Sequence, residues 1–224
     1  MMIRLPRGRF LLAFSLALCG SVVLLNSVGA AARPQTEKTS EPGWQSLFDG
    51  KTLTNWEATK FVAEGPVKVE DGRIVLEPGR NITGINWTGS TLPTTNYELA
   101  LQAMRVEGSD FFAGITFPVD DSFCSLILGG WGGSVVGLSS INGMDASEND
   151  TSQSVEFENG RWYSVRIRVT SAKIEAWLDD RQIITQQLKD NTVDTRLEME
   201  LSKPLGIASY KTKAALRDIR LKRL

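Results

Sequence analysis

Residues 157–188, FENGRWYSVRIRVTSAKIEAWLDDRQIITQQL, alternate apolar and polar side chains across two turn signals, and that pattern leaves little choice of fold. Tyr163, Val165, Ile167 and Val169 fall on one parity, and Ser164, Arg166, Arg168 and Thr170 on the other. Successive side chains of a strand point to opposite faces, so this period predicts a strand with one face in a core and one in water. After Ser171-Ala172 turns the chain, Ile174, Ala176 and Leu178 alternate with Lys173, Glu175 and Trp177. Asp179-Asp180 then supplies side chains that tolerate the left-handed backbone of a tight hairpin. The stretch predicts three consecutive antiparallel strands, with the rest of the chain adding strands around them.

The same period recurs elsewhere. Asp71-Gly72 between Val67-Lys68-Val69 and Ile74-Val75-Leu76 is the strongest short-range hairpin signal. Tyr97, Leu99, Leu101 and Ala103 alternate with Glu98, Ala100, Gln102 and Met104 as a long half-buried strand. Residues 111–117 and 123–128 are expected as strands joined through residues 118–122. Leu197, Met199 and Leu201 alternate with Glu198, Glu200 and Ser202, and residues 205–210 are expected to pair with 214–221. No helical stripe appears after the N-terminal segment, and Gly, Pro, Asn and Asp clusters separate the short strands. The expected fold is therefore all-β, an antiparallel jelly-roll β-sandwich over residues 44–224. Its core should contain Leu99, Leu101, Tyr163, Val165, Ile167, Ile174 and Leu178.

Ahead of this domain, Arg4, Arg7 and Arg9 precede an apolar run over 10–25 and small residues over 27–32. Residues 1–32 read as a secretory signal peptide, with an uncleaved anchor and a lipid-modified Cys19 as the competing readings. Residues 33–43 read as a flexible linker, since 33–42 hold two prolines and no core-forming side chain. A secreted or periplasmic location follows as an expectation, with membrane contact only if the first segment stays uncleaved.

Composition narrows the chemistry. A formal net charge of -1 provides no overall basic field for nucleic acid. The sequence contains no histidine, which removes the side chain that titrates near neutrality and the commonest zinc ligand. Acid and base work must come from Asp, Glu, Lys or Tyr. Of the two cysteines, Cys19 lies in the apolar run, and Cys124 reads as a small buried hydrophobe within a strand.

Five glycines surround Trp131 between Gly129 and Gly137. Two readings stand: an indole offered to the C–H face of a sugar ring, or an indole capping the core. In the first, Asp110, Arg105 and Lys211 supply polar groups, and strand parity carried on from Ile127 sets Trp131 beside Ser125. Asp145, Glu148 and Asp150 in the polar loop are calcium candidates, or else a solvated acidic loop, and no cofactor is required.

The segment Leu47-Phe48-Asp49-Gly50-Lys51-x-Leu53-x-x-Trp56 resembles the opening signature of the 3-keto-disaccharide hydrolase-like domain family. Val67 to Ile74 is similar to its first hairpin, Tyr97-Glu98-Leu99 to its long strand, Gly160-Arg161-Trp162-Tyr163 to its Gly-x-Trp, and Ala215 to Leu221 to its closing strand. The resemblance implies a concanavalin A-like or laminin G-like jelly roll, a carbohydrate-directed secreted protein with an oligosaccharide or polysaccharide partner, and for some members cleavage of 3-keto-glycosides. It breaks at the family's polar site positions. Phe112-Ala113-Gly114 stands where relatives read Asn-Ser-Gly, Cys124 to Gly129 stands where they carry Glu, and Ile207-Ala208-Ser209-Tyr210 replaces Leu-Gln-x-His. Two expectations therefore stand together: a hydrolase or lyase of 3-keto-glycosides with catalytic residues unassigned, and a non-catalytic carbohydrate- or cell-surface-binding module in which Tyr210 joins the sugar site.

Overall fold

The computed structural model describes residues 42–224; the signal segment 1–32 and all but the last two residues of the 33–43 linker lie outside them. Fifteen strands follow in chain order: β1 (Trp44–Ser46), β2 (Trp56–Ala58), β3 (Val67–Glu70), β4 (Arg73–Leu76), β5 (Ile82–Trp87), β6 (Tyr97–Glu107), β7 (Ala113–Val119) and β8 (Ser122–Gly130). The remainder are β9 (Val135–Ser139), β10 (Gln153–Ser154), β11 (Trp162–Val169), β12 (Lys173–Leu178), β13 (Arg181–Gln187), β14 (Gly206–Tyr210) and β15 (Lys213–Arg223). They form two antiparallel sheets. The eight-stranded sheet runs β13-β12-β11-β6-β15-β4-β3 with β1 also on β15, and the seven-stranded sheet runs β10-β9-β8-β7-β14-β5-β2.

Period-two alternation explains the core. Tyr163, Val165 and Ile167 of β11 lie opposite Ala103, Leu101 and Leu99 of β6, and all six are at most 2 % exposed. From the facing sheet, Ile115 and Phe117 of β7, Leu126 and Leu128 of β8, and Ile207 of β14 fill the other half of the core, each fully buried. Every residue expected in the core is buried. The Asp71-Gly72 hairpin joins β3 to β4 with both turn residues at positive φ, 48° and 75°, the geometry that matches strand twist.

Three local expectations change. Residues 197–202 form a 3-10 helix instead of a strand. Their leucines face out, at 84 % and 54 % exposure for Leu197 and Leu201, while Met199 and Ser202, three apart, are buried. Residues at i and i+3 eclipse in a 3-10 turn, so one face is satisfied by these two alone. Residues 205–210 and 214–221 do not pair: β14 lies between β5 and β7, whereas β15 lies between β6 and β4. The chain crosses from one sheet to the other at Lys211, φ 48°, so both strands turn their apolar parity to the same core from opposite sides. The turn between β7 and β8 is also shorter than expected, with Pro118 and Val119 inside the strand.

The 3-10 helix and its flanks form a strap across the outer face of the seven-stranded sheet. Asn86 on β5 donates its side-chain amide to the Leu201 and Lys203 carbonyls, and the side chain of Met199 packs with Phe61, Ile82 and Ala208. The strap fits because the strand beneath it is bare at Gly206, where a Cβ would lie well inside contact distance of the Ser202 carbonyl. Gly206→Ala should therefore cost roughly 1–3 kcal/mol through overpacking. Urea denaturation measures the loss, and limited proteolysis should cut first within 197–202; an unchanged midpoint would mean the strap shifts without cost.

Candidate functional site

Beside the strap, a cleft of about 330 Å³ is lined by Ile82, Asp110, Phe111, Ile127, Trp131, Arg196, Glu198, Met199 and Tyr210. Its floor comes from strand positions of outward parity, Ile82 on β5 and Ile127 on β8. One wall is Phe111 stacked on Tyr210, ring centroids 5.9 Å apart and planes 26° from parallel. The strap supplies Arg196, Glu198 and Met199.

Trp131 forms the lip. Gly129 (φ 77°), Gly132 (89°) and Gly133 (118°) carry a turn in which Trp131 itself sits at φ 49°. A bulky residue in the left-handed region is a backbone outlier that the surroundings must hold in place. Two groups do so: Asp110 Oδ2 accepts a 3.4 Å hydrogen bond from the Gly132 N–H, and Arg105 Nη1 donates to the Gly133 carbonyl at 3.3 Å. The indole is 44 % exposed, so it does not cap the core. The Arg196 guanidinium lies 5.9 Å from its ring centroid.

Charge in the cleft is fixed by pairing. Arg196 donates Nε to Glu198 Oε2 at 3.3 Å and Nη2 to Oε1 at 3.2 Å, and its Nη1 meets Asp145 Oδ2 at 2.5 Å. The hydrogen bond from Arg196 holds the Glu198 carboxyl below the usual carboxylate range, and Glu198 in turn raises the guanidinium pKa. Glu198 is therefore an anion at neutral pH and no proton donor. Asp110 spends Oδ1 on the Phe111 N–H at 2.7 Å, while its own N–H donates to Thr212 Oγ1 at 3.1 Å.

Of the sequence candidates, Trp131, Asp110 and Tyr210 meet in this cleft. The others do not line it. Ser125 is fully buried and hydrogen-bonded to Thr116 at 2.8 Å, and the register shift between Leu128 and Gly130 breaks the parity that placed Trp131 beside it. Arg105 is 8 % exposed and reaches the Asn159 side chain at 2.7 Å and the Phe157 carbonyl, so it is a buried tether of two loops. Lys211 is exposed, with its ammonium 5.0 Å from the centroid of the Tyr210 ring. Arg196, Glu198, Phe111 and Met199 escaped the sequence reading because the strap that presents three of them carries a strand-like alternation. For calcium, Asp145 is engaged by Arg196 and by Ser147, Asp150 is exposed, and among the described residues no three Asp, Glu, Cys or His side chains gather as a metal would need.

Solved structures share this architecture at low identity. A glycosyl hydrolase-like protein from Parabacteroides distasonis is similar with a TM-score of 0.51 and 16 % identity, over 81 % of this chain and 94 % of that one. The carbohydrate-binding module CBM66 from Bacillus subtilis gives a TM-score of 0.52 and 12 % identity, over 80 % of this chain and 99 % of that one. Domain 4 of AbnA, an extracellular arabinanase from Geobacillus stearothermophilus solved with arabinotriose, gives 0.51 and 13 %, over 81 % and 91 %. No curated protein matches the chain. The model of the 3-keto-alpha-glucoside-1,2-lyase-like domain matches residues 43–222, nearly the whole described region. With the opening signature, the Gly-x-Trp strand and the two-sheet fold in agreement, the chain belongs to the family of 3-keto-alpha-glucoside-1,2-lyase-like domains, a carbohydrate-related group.

Proposed function

We propose that the domain binds a neutral glycan in this cleft, one sugar ring lying on the Trp131 indole while Asp110 and Glu198 accept hydrogen bonds from its hydroxyls. The observation that carries the reading is Trp131 itself: a large aromatic side chain 44 % exposed, on a strained turn fastened by Asp110 and Arg105. Two carboxylates against one guanidinium, itself shared with Asp145, disfavour an anionic sugar. The N-terminal segment, read as a signal peptide, supports a location outside the cytoplasm, which N-terminal sequencing of the exported protein checks through cleavage near Ala32.

Trp131→Ala and Trp131→Gly separate binding from packing. Both should melt close to the parent, because a half-exposed ring leaves no cavity, and the glycine variant also relieves about 1 kcal/mol of backbone strain. Glycan-array affinity should fall roughly tenfold or more, equivalent to about 1.4 kcal/mol. Strong destabilisation with glycan binding intact would reject the platform.

A second reading, turnover of 3-keto-glycosides, is favoured by family membership and by two carboxylates converging in one cleft. A ketone at C3 acidifies the C2 proton, so a carboxylate such as Asp110 or Glu198 can remove it as the C1–O bond breaks. The departing oxygen then needs a proton, and Tyr210 brings a phenolic O–H to the wall. Incubating the protein with 3-keto-disaccharides, with and without divalent metal, tests this; turnover abolished in Tyr210→Phe and Asp110→Asn supports it, and no turnover leaves binding alone.

A further inference from the structure

The outer face of the eight-stranded sheet lies across the core from the cleft. Register aligns Trp177, Arg166, Ala100, Arg220 and Ser46 in one row across five strands, and Glu175, Arg168, Glu98, Lys222 and Trp44 in the next. At about 4.8 Å between strands, the rows span roughly 19 Å of flat surface. The middle of this face carries six cations, Arg166, Arg168, Lys173, Arg217, Arg220 and Lys222, in a chain whose formal net charge is -1. Against them stand three carboxylates, Glu98, Glu175 and Asp218.

Depth decides what a ligand meets. Glu98 and Glu175 are 5 % and 7 % exposed, at the floor, whereas the side chains of Arg166, Arg168 and Arg220 are 35 %, 37 % and 32 % exposed above them. Three of the guanidiniums also lie over indoles. Arg166 lies 3.7 Å from the Trp177 ring centroid, Arg217 lies 4.0 Å from that of Trp162, and Arg220 lies 4.9 Å from that of Trp44. Stacking on an indole fixes the plane of an arginine fork, so less entropy is lost when its N–H edge takes a carboxylate or sulfate.

We propose that this face is a second binding site, for an anionic polysaccharide whose carboxylate or sulfate groups bridge Arg166, Arg217, Arg220 and Lys222. Charge complementarity selects a polyanion, and two observations select a polysaccharide among polyanions. A guanidinium already lies over each of these indoles, so a nucleobase would have to displace it to stack there. Among the described residues no large exposed apolar side chain lies within a strand of this sheet, whereas binding in a lipid surface draws on such side chains.

The test measures binding of the protein to polygalacturonate and to dextran sulfate, with neutral dextran, oligo(dT) and phosphatidylserine vesicles as competitors. Binding should weaken as salt rises, and the pair Arg217→Gln with Lys222→Gln should raise Kd for polygalacturonate roughly tenfold or more. The charge reversal Lys222→Glu alone should act in the same direction, which keeps the test open if the double variant folds poorly. Trp131→Ala should leave this binding unchanged, so failure here is distinct from failure of the cleft. Unchanged affinity in both variants overturns the site, as does equal competition by neutral dextran; tighter binding of oligo(dT) or of the vesicles reassigns the face to nucleic acid or lipid and overturns it too.

Discussion

Phe112→Ala is expected to destabilise the protein by about 3–5 kcal/mol and to weaken the cleft at the same time. Phe112 is fully buried, its ring 5.0 Å from Phe157 and 5.9 Å from Tyr163, and those two rings lie 5.0 Å from each other. Truncation opens a cavity in the middle of this aromatic group and forfeits ring-to-ring contacts worth about 0.5–1.5 kcal/mol each. The same ring backs the Trp131 turn: a Cβ added at Gly129 would meet it at 3.3 Å, and Arg105 lies 6.0 Å above it. Urea denaturation gives the stability loss. Ile115→Ala is the control, since Ile115 is equally buried but lies along β7 away from the turn. Both variants should unfold early, and only Phe112→Ala should lose glycan affinity when both are compared as folded protein. Equal affinities would show that the turn holds its shape without the ring beneath it.

How far the sequence reaches depends on what each residue must satisfy. A half-buried strand repeats one physical demand every second position, so β11, β12 and β13, the Asp71-Gly72 hairpin and the core positions of β6 were all legible. Reading fails where that demand stops. At Gly129 one left-handed residue and a register shift reset the parity, which separates Trp131 from Ser125 although both looked aligned. In 197–202 the alternation is real but does not mark burial, because only Met199 and Ser202 face the protein. Which strands pair was less legible still: a positive φ at Lys211 sends β15 to the opposite sheet, and that depends on the whole chain behind it. Arg105 shows the limit for function. Its position in the chain suits a sugar contact, but burial and three side-chain donations to Asn159, Phe157 and Gly133 make it a fastening of the Trp131 turn.

Stability should fall steeply in alkali, by roughly 4 kcal/mol between pH 9 and 12, from a single thiol. Cys124 is fully buried in β8, and burial pushes its thiol from an ordinary 9.0 up to about 12. A thiol is charged only after it loses its proton. In the unfolded chain it does so near its ordinary value, whereas the folded chain keeps the proton until about 12. Over that window the unfolded state binds fewer protons, so this contribution is fully present below about pH 9 and is lost as pH rises through the folded value. Tyr97 adds to the trend: burial first, and then the nearby Cys124, raise its phenol well above the usual range, and its O–H donates to the Pro118 carbonyl at 2.6 Å. Urea midpoints from pH 7 to 11 should therefore drop along a curve that bends downward near 9. Cys124→Ala separates the two groups, because it costs a fixed amount of packing at every pH yet removes the thiol's share of the slope and leaves that of Tyr97. An identical slope in parent and variant would mean that the thiol does not carry the alkaline loss.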